Sequence, residues 1–320
     1  MSFICRQSLA ALLLAGVALG PVQAVAADGA TTGSFSAVQQ IGSRGAAPVE
    51  SLTAADGTRL ALRSYLPANP KAVLVFFHGA GMHSAAGYPH LARELADRFD
   101  VAVYPPHLRG HGESDGPRGH APSASAVWED VSSVIALAQE RYPDLPLFIG
   151  GHSAGAGLAL NYMAYPKHEA VDGVVLLSPD LGPSAATQRA GSQPFASVQS
   201  GRLLVNTLTA GKVLGNSPAV SFAFPVRMML ADSKLLGGYT VNMAQAVIPV
   251  KPAEMLADVR MPMAMWIGAD DELIDPLKLA RLLVAPGRDR VAEAIGGADH
   301  LTILLHAADY IGPWLQRHGS

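Results

Sequence analysis

The sequence predicts an α/β protein: a mostly parallel, twisted sheet with helices on both faces and an inserted lid. Three observations carry that prediction. Short, wholly apolar runs alternate with segments of helical periodicity, the rhythm of a parallel sheet covered on both sides. That rhythm stops between residues 183 and 249 and then resumes, which marks an insertion between two strands. The composition suits one large core: of 320 residues, 49% are apolar and only 15% charged. Lys plus Arg number 23 against 26 for Asp plus Glu, and no run of like charge occurs. A nucleic-acid partner held by a basic surface is therefore excluded. The single cysteine, Cys5, excludes an internal disulfide framework and a thiolate metal cluster.

Residues 1–27 read as a secretory signal peptide. Arg6 precedes an Ala/Leu/Val/Gly block, Gly20-Pro21 breaks it, and small residues follow up to Ala24 and Ala26. The uncharged stretch is also long enough to span a bilayer, so a retained anchor is the alternative. The helix break before the small-residue site favours cleavage, and Cys5 would leave with the peptide. Export to a periplasmic or extracellular compartment is expected. Residues 28–47, rich in Gly, Ser, Thr and Ala, read as a flexible lead-in.

Past Pro48, residues 50–53 and 58–65 predict two strands joined at Asp56-Gly57. Residues 72–77, A-V-L-V-F-F, read as a central strand buried on both faces. A helix over 90–99 and a strand over 101–104 follow. Val127, Val131, Val134 and Ala138 then form one helical stripe, opposite Glu129, Asp130, Gln139 and Glu140. Residues 145–149 read as a strand, 155–165 as a helix and 171–178 as a strand. After the insertion come a strand (262–267), a helix (277–284), a strand (291–295) and a helix (301–316). The core therefore comprises 48–182 and 250–320, and 183–249 form a cap or lid at the ligand edge of the sheet. The alternative is a peripheral helical pair that merely covers the sheet.

Gly151-His152-Ser153-Ala154-Gly155 fits G-x-S-x-G and sits between a strand and a helix. That context is a nucleophile elbow, in which glycines leave room for a serine in strained backbone angles. A serine hydroxyl needs a base, and the base an orienting acid. His300 follows a late strand and precedes the last helix; His306 and His318 lie on or beyond that helix and read as surface residues. For the acid, Asp271 is preferred within Gly268-Ala269-Asp270-Asp271-Glu272. Asp270 is second, Asp275 reads as a helix cap before Pro276, and Asp180 is a third candidate. His78-Gly79-Ala80-Gly81 follows a strand, so the backbone N–H groups of Ala80 and Ala154 are the expected oxyanion donors. His78 and His83 belong to no metal-ligand motif and read as loop buttresses; no metal or cofactor is expected.

The chain resembles the α/β-hydrolases of the monoacylglycerol lipase and lysophospholipase-like branch, a group related to serine aminopeptidases. The matching text is H-G-A-G-M-H-S from His78, R-G-H-G-E-S-D-G-P-R-G-H from Arg109, G-H-S-A-G from Gly151 and G-A-D-D-E-L-I-D-P from Gly268. The resemblance implies Ser153 as nucleophile, Asp271 as acid, His300 as base and Ala80 with Ala154 as oxyanion donors. It implies that residues 109–114 are an architectural turn. One departure stands out: where the family carries an acidic residue two positions before the arginine, this chain has His107.

The lid contains Arg189, Arg202, Lys212, Arg227 and Lys234 against one acid, Asp232, and several apolar clusters. An aminopeptidase must pair a substrate ammonium with acidic groups, and this lid is nearly devoid of them. An apolar lid with scattered cations better suits an acyl chain, with or without an anionic or phosphate-bearing head, the alternative being that these apolar residues simply pack the lid on the body. The expected activity is serine hydrolysis of carboxylic esters, of monoacylglycerol or lysophospholipid type. An exopeptidase and a non-catalytic exported binding protein are the alternatives. The lid also leaves a peripheral membrane contact open.

Overall fold

The computed structural model describes residues 29–42, 46–283 and 288–319; the expected signal peptide lies outside the described residues. The lead-in expected to be flexible is, over most of its length, a helix, α1 (Gly29–Gly42). Phe35 and Val38, three residues apart on one face, are both buried. A Gly/Ser/Thr-rich stretch has weak intrinsic helix propensity, and here the burial of these two side chains holds it.

β1 (Glu50–Thr53) and β2 (Arg59–Leu62) pair antiparallel across the Asp56-Gly57 turn, with Gly57 at φ 86°. The core then runs β3 (Ala72–Phe77), α2 (Tyr88–Phe99), β4 (Val101–Tyr104), α3 (Ala124–Arg141), β5 (Leu147–His152), α4 (Ala154–Met163) and β6 (Gly173–Leu177). Val127, Val131, Val134 and Ala138 form the buried stripe of α3, whose start Ser123 caps by accepting from Ala126 N–H. Asp130, expected on the solvent face, is instead buried, because Arg109 meets it with two N–H groups.

The insertion is not a helical pair. It carries its own three-stranded antiparallel sheet of β7 (Ala196–Val198), β8 (Pro218–Phe222) and β9 (Gly238–Thr240). Helices α5 (Ser200–Leu208), α6 (Val226–Ala231) and α7 (Val241–Val247) complete it. Its strands are only three to five residues long and lack clean alternation, so periodicity cannot mark them.

The core resumes with α8 (Pro252–Asp258), β10 (Met263–Gly268), α9 (Pro276–Leu283), β11 (Arg290–Ile295), α10 (Ile303–His306) and α11 (Ala308–His318). The main sheet has the order β11-β10-β6-β5-β3-β4, every pair parallel. β3, β5, β6 and β10 are buried at every residue, which explains their unbroken apolar text. From β3 the chain moves outward to β4, then returns to β5 and proceeds the other way. The β3/β5 boundary is therefore the topological switch point, where loops from two adjacent strands diverge and leave a crevice.

Candidate active site

Ser153 stands at that switch point. It follows β5 directly, has φ 54° and ψ −122°, and opens α4. A non-glycine residue holds such angles only when its surroundings over-determine it. The flanking glycines show how. A Cβ on Gly155 would lie 2.3 Å from the Phe77 carbonyl oxygen of β3, and one on Gly151 would lie 2.3 Å from the Gly155 carbonyl carbon. Strand, turn and helix pack backbone to backbone, and the serine side chain projects from the bend.

His300 Nε2 lies 3.0 Å from Ser153 Oγ, and His300 Nδ1 lies 2.9 Å from Asp271 Oδ2. The other Asp271 oxygen accepts the N–H groups of Leu273 and Ile274, both at 2.9 Å. Asp271 is fully buried. Burial would push His300 down, but the facing Asp271 carboxylate outweighs it and lifts the imidazole above its ordinary value. Burial likewise penalises charge on Asp271, yet His300 and the two backbone donors hold it below the usual carboxylate value.

The other candidates fall elsewhere. Asp270 is exposed on the neighbouring loop position. Asp275 caps α9 through the N–H groups of Leu277 and Lys278, as its place before Pro276 suggests. Asp180 is exposed at the end of β6, in the wall of the larger cavity described below. His306 is exposed, and His318 bonds to the Trp314 carbonyl and Asp289.

Ala80 lies in the loop after β3 and Ala154 at the first position of α4, where N–H groups have no intrahelical partner. Sequence reasoning missed how the Ala80 loop is held. Gly79 N–H donates to Tyr88 Oη at 2.7 Å, and Gly81 N–H donates to Tyr239 Oη at 2.8 Å. Each tyrosine in turn faces a fully buried histidine. His152 Nε2 is 2.7 Å from the His300 carbonyl, which can only accept, so its Nδ1 takes the Tyr88 hydroxyl proton. His111 Nδ1 is 2.8 Å from the Arg109 carbonyl, so its Nε2 takes the Tyr239 proton by the same logic. Burial pushes both histidines down to about 3, so they are neutral and these tautomers persist. The N–H groups on either side of Ala80 are thus committed. His152, the unspecified residue of G-x-S-x-G, ties the serine turn to the His300 loop.

His78 joins its own Gly79 carbonyl to Leu108 N–H, and His83 Nε2 lies 2.8 Å from Asp232 in the insertion. His107, the departure from the family pattern, is buried with Nε2 2.7 Å from Glu113 Oε2. It sits against Gly112, where a Cβ would clash with the ring at 1.9 Å. Among the described residues, no group of three or more His, Cys, Asp or Glu is placed to hold a metal ion.

Two cavities meet at Ala80, Ser153 and His300. One is lined mainly by apolar groups, including Phe35, Met82, Phe224, Met228 and Leu301, together with Glu272. The other, which is larger, adds Asp180, Gln188, Arg189, Ser192 and Gln193 to apolar walls. The insertion roofs both and is bonded to the body. Gln188 bridges Ile274, Arg189 donates to the Ala269 and Asp271 carbonyls, and Lys234 pairs with Glu113. Arg202 donates to the Pro218 carbonyl. Three of the five cations of the insertion therefore serve internal contacts, so their number says less about an anionic ligand than composition suggests.

A family model described as "Serine aminopeptidase, S33" matches residues 68–304, which is most of the chain and, among the described residues of the site, all but Phe35. The chain belongs to this family of α/β-hydrolases. The hydrolase is 30% identical over 260 residues to the monoglyceride lipase of Homo sapiens, covering 78% of this chain and 82% of that protein. It is 32% identical over 250 residues to the monoacylglycerol lipase of Mycolicibacterium smegmatis, covering 74% and 81%. An uncharacterised abhydrolase domain-containing protein of Dictyostelium discoideum is 35% identical over 137 residues, only 14% of its own length. Among solved structures, a carboxyl esterase from Bacillus coagulans superposes with TM-score 0.65 at 18% identity, over 84% of this chain and 98% of its own. A monoglyceride lipase from Saccharomyces cerevisiae superposes with TM-score 0.64 at 16% identity, over 86% and 96%. These two likenesses establish the α/β-hydrolase fold.

Proposed function

We propose that the chain is a serine esterase acting on lipid-like carboxylic esters, of monoacylglycerol or lysophospholipid type. The observation that carries this reading is the unbroken series Ser153–His300–Asp271 standing where an apolar cavity meets a larger, polar-walled one. His300 Nε2 takes the Ser153 proton as Oγ attacks the ester carbonyl. The Ala80 and Ala154 N–H groups receive the oxyanion, and Asp271 stabilises the imidazolium. Collapse breaks the ester C–O bond, with His300 returning its proton to the leaving alcohol. Water then attacks the acyl-enzyme, His300 again accepting the proton, and the free acid leaves. The acyl chain takes the apolar cavity and the alcohol the larger one, whose Gln188, Ser192 and Gln193 offer polar contacts. Similarity to the monoglyceride lipases supports the same substrate class.

Peptide cleavage is the second reading, favoured by the family description and by Asp180 in the wall of the larger cavity, where it could pair an ammonium. The membrane contact of the lid rests on exposed apolar residues such as Leu208 and Leu230, 76% and 82% exposed. Export rests on the leader sequence alone, and fractionation with sequencing of the mature N-terminus tests it.

The deciding assay sets p-nitrophenyl esters beside aminoacyl p-nitroanilides, with fluorophosphonate labelling. Ester turnover and labelling that Ser153→Ala lowers by on the order of 10⁴ or more are expected. Anilide turnover alone would move the assignment to a peptidase. Silence in both assays with an unlabelled Ser153 would leave the binding-protein alternative.

A further inference from the structure

Among the described residues around Ser153, Phe35 alone comes from outside the segment that matches the family, since α1 ends at Gly42 and the match begins at residue 68. Phe35 is 2% exposed and shares the apolar cavity wall with Met82, Phe224, Met228 and Leu301. Its helix is bonded to the site at two further points. Val38, 1% exposed, lies so close to Gly87 at the start of α2 that a Cβ there would approach Val38 Cγ1 to 2.1 Å. Ser34 Oγ donates to the carboxylate of Asp299, the residue before His300. The other oxygen of that carboxylate accepts the N–H groups of Leu301 and Thr302. The helix is thereby fixed both to the loop that presents the imidazole and to the helix after the Ala80 loop.

We propose that α1 is part of the substrate site and that Phe35, as a wall of the apolar cavity, sets the length of acyl chain accepted. The inference rests on the esterase reading for the identity of the occupant. A rigid aromatic ring in an otherwise apolar chamber excludes the methylenes that would overlap it. A methylene that does not fit, or space left unfilled, changes kcat/KM by about tenfold or more in such pockets.

The test compares wild type, Phe35→Leu and Phe35→Trp on p-nitrophenyl butyrate, octanoate and laurate. Leucine preserves an apolar packing partner for the helix, so the comparison does not depend on an emptied core. Phe35→Leu is expected to raise the long-to-short ratio of kcat/KM by about tenfold, and Phe35→Trp to lower it. A purely structural role would reduce all three esters together. In parallel, the rise in Tm on adding butyrate, octanoate, laurate or palmitate is measured in Ser153→Ala backgrounds, where no turnover is needed. The fatty acid giving the largest rise should lengthen with leucine and shorten with tryptophan. Wild type without ester turnover, but with this shift in the Tm series, would overturn the esterase reading and leave the role of Phe35 standing. Unchanged length preference in both series, in variants that fold, would overturn the inference.

Discussion

Both oxygens of the Asp271 carboxylate are committed, one to His300 and one to two backbone N–H groups, so the imidazole has a single orientation. Asp271→Asn should lower kcat by about 10⁴-fold, because the amide cannot support the imidazolium. Asp270→Asn, on an exposed side chain, should leave turnover close to wild type. A larger loss at position 270 in the same assay would transfer the acid role. The charge also sets the pH response. In the proposed mechanism His300 must be neutral to accept the Ser153 proton, and Asp271 raises it above 6.5. Activity should therefore fall as pH is lowered, with the midpoint of kcat/KM above 6.5, and Asp271→Asn should move that midpoint down.

Loops between elements carry the next level of control. Tyr88, at the start of α2, and Tyr239, in β9 of the insertion, hold the residues on either side of Ala80. Loss of an oxyanion donor itself costs about 10²-fold or more. Tyr239→Phe leaves the proposed Ala80 donor but frees its neighbour, so about a tenfold loss in kcat with little change in KM is expected from steady-state kinetics. Arg109 joins the loop after β4 to α3 through buried Asp130. Asp130→Ala leaves that guanidinium only Asp56 and the Ala126 carbonyl as partners and should cost about 1–3 kcal/mol in urea unfolding.

Across the whole molecule, the insertion is both roof and surface. Arg189, Asp232, Lys234 and Tyr239 bind it to loops of the body, whereas Leu208 and Leu230 face outward. If the outer face meets lipid, Leu208→Asp with Leu230→Asp should reduce co-sedimentation with phosphatidylcholine vesicles while sparing soluble-ester hydrolysis. Each leucine withdrawn from an apolar environment forfeits about 1.5–3 kcal/mol. Equal sedimentation of the double variant and wild type would remove the membrane role.

Features that depend on near neighbours are legible in the chain itself. Fully buried strands leave unbroken apolar runs, α3 leaves a period, Asp275 announces a cap, and Gly151 and Gly155 mark a backbone crowded around Ser153. Features that depend on residues far apart in the chain arise only when the elements pack together. Asp271 rather than Asp270 reaches His300, because the loop after β10 folds one carboxylate inward and leaves the next outside. Asp130 is buried because Arg109 lies opposite it, and α1 is ordered because Phe35 and Val38 find a surface after Gly87 and around His300. The insertion forms a sheet because its short strands pair with one another across loops. Spacing along a chain records which face a side chain occupies within its own element. It does not record what another element brings to that face, and the finer features of this site are made there.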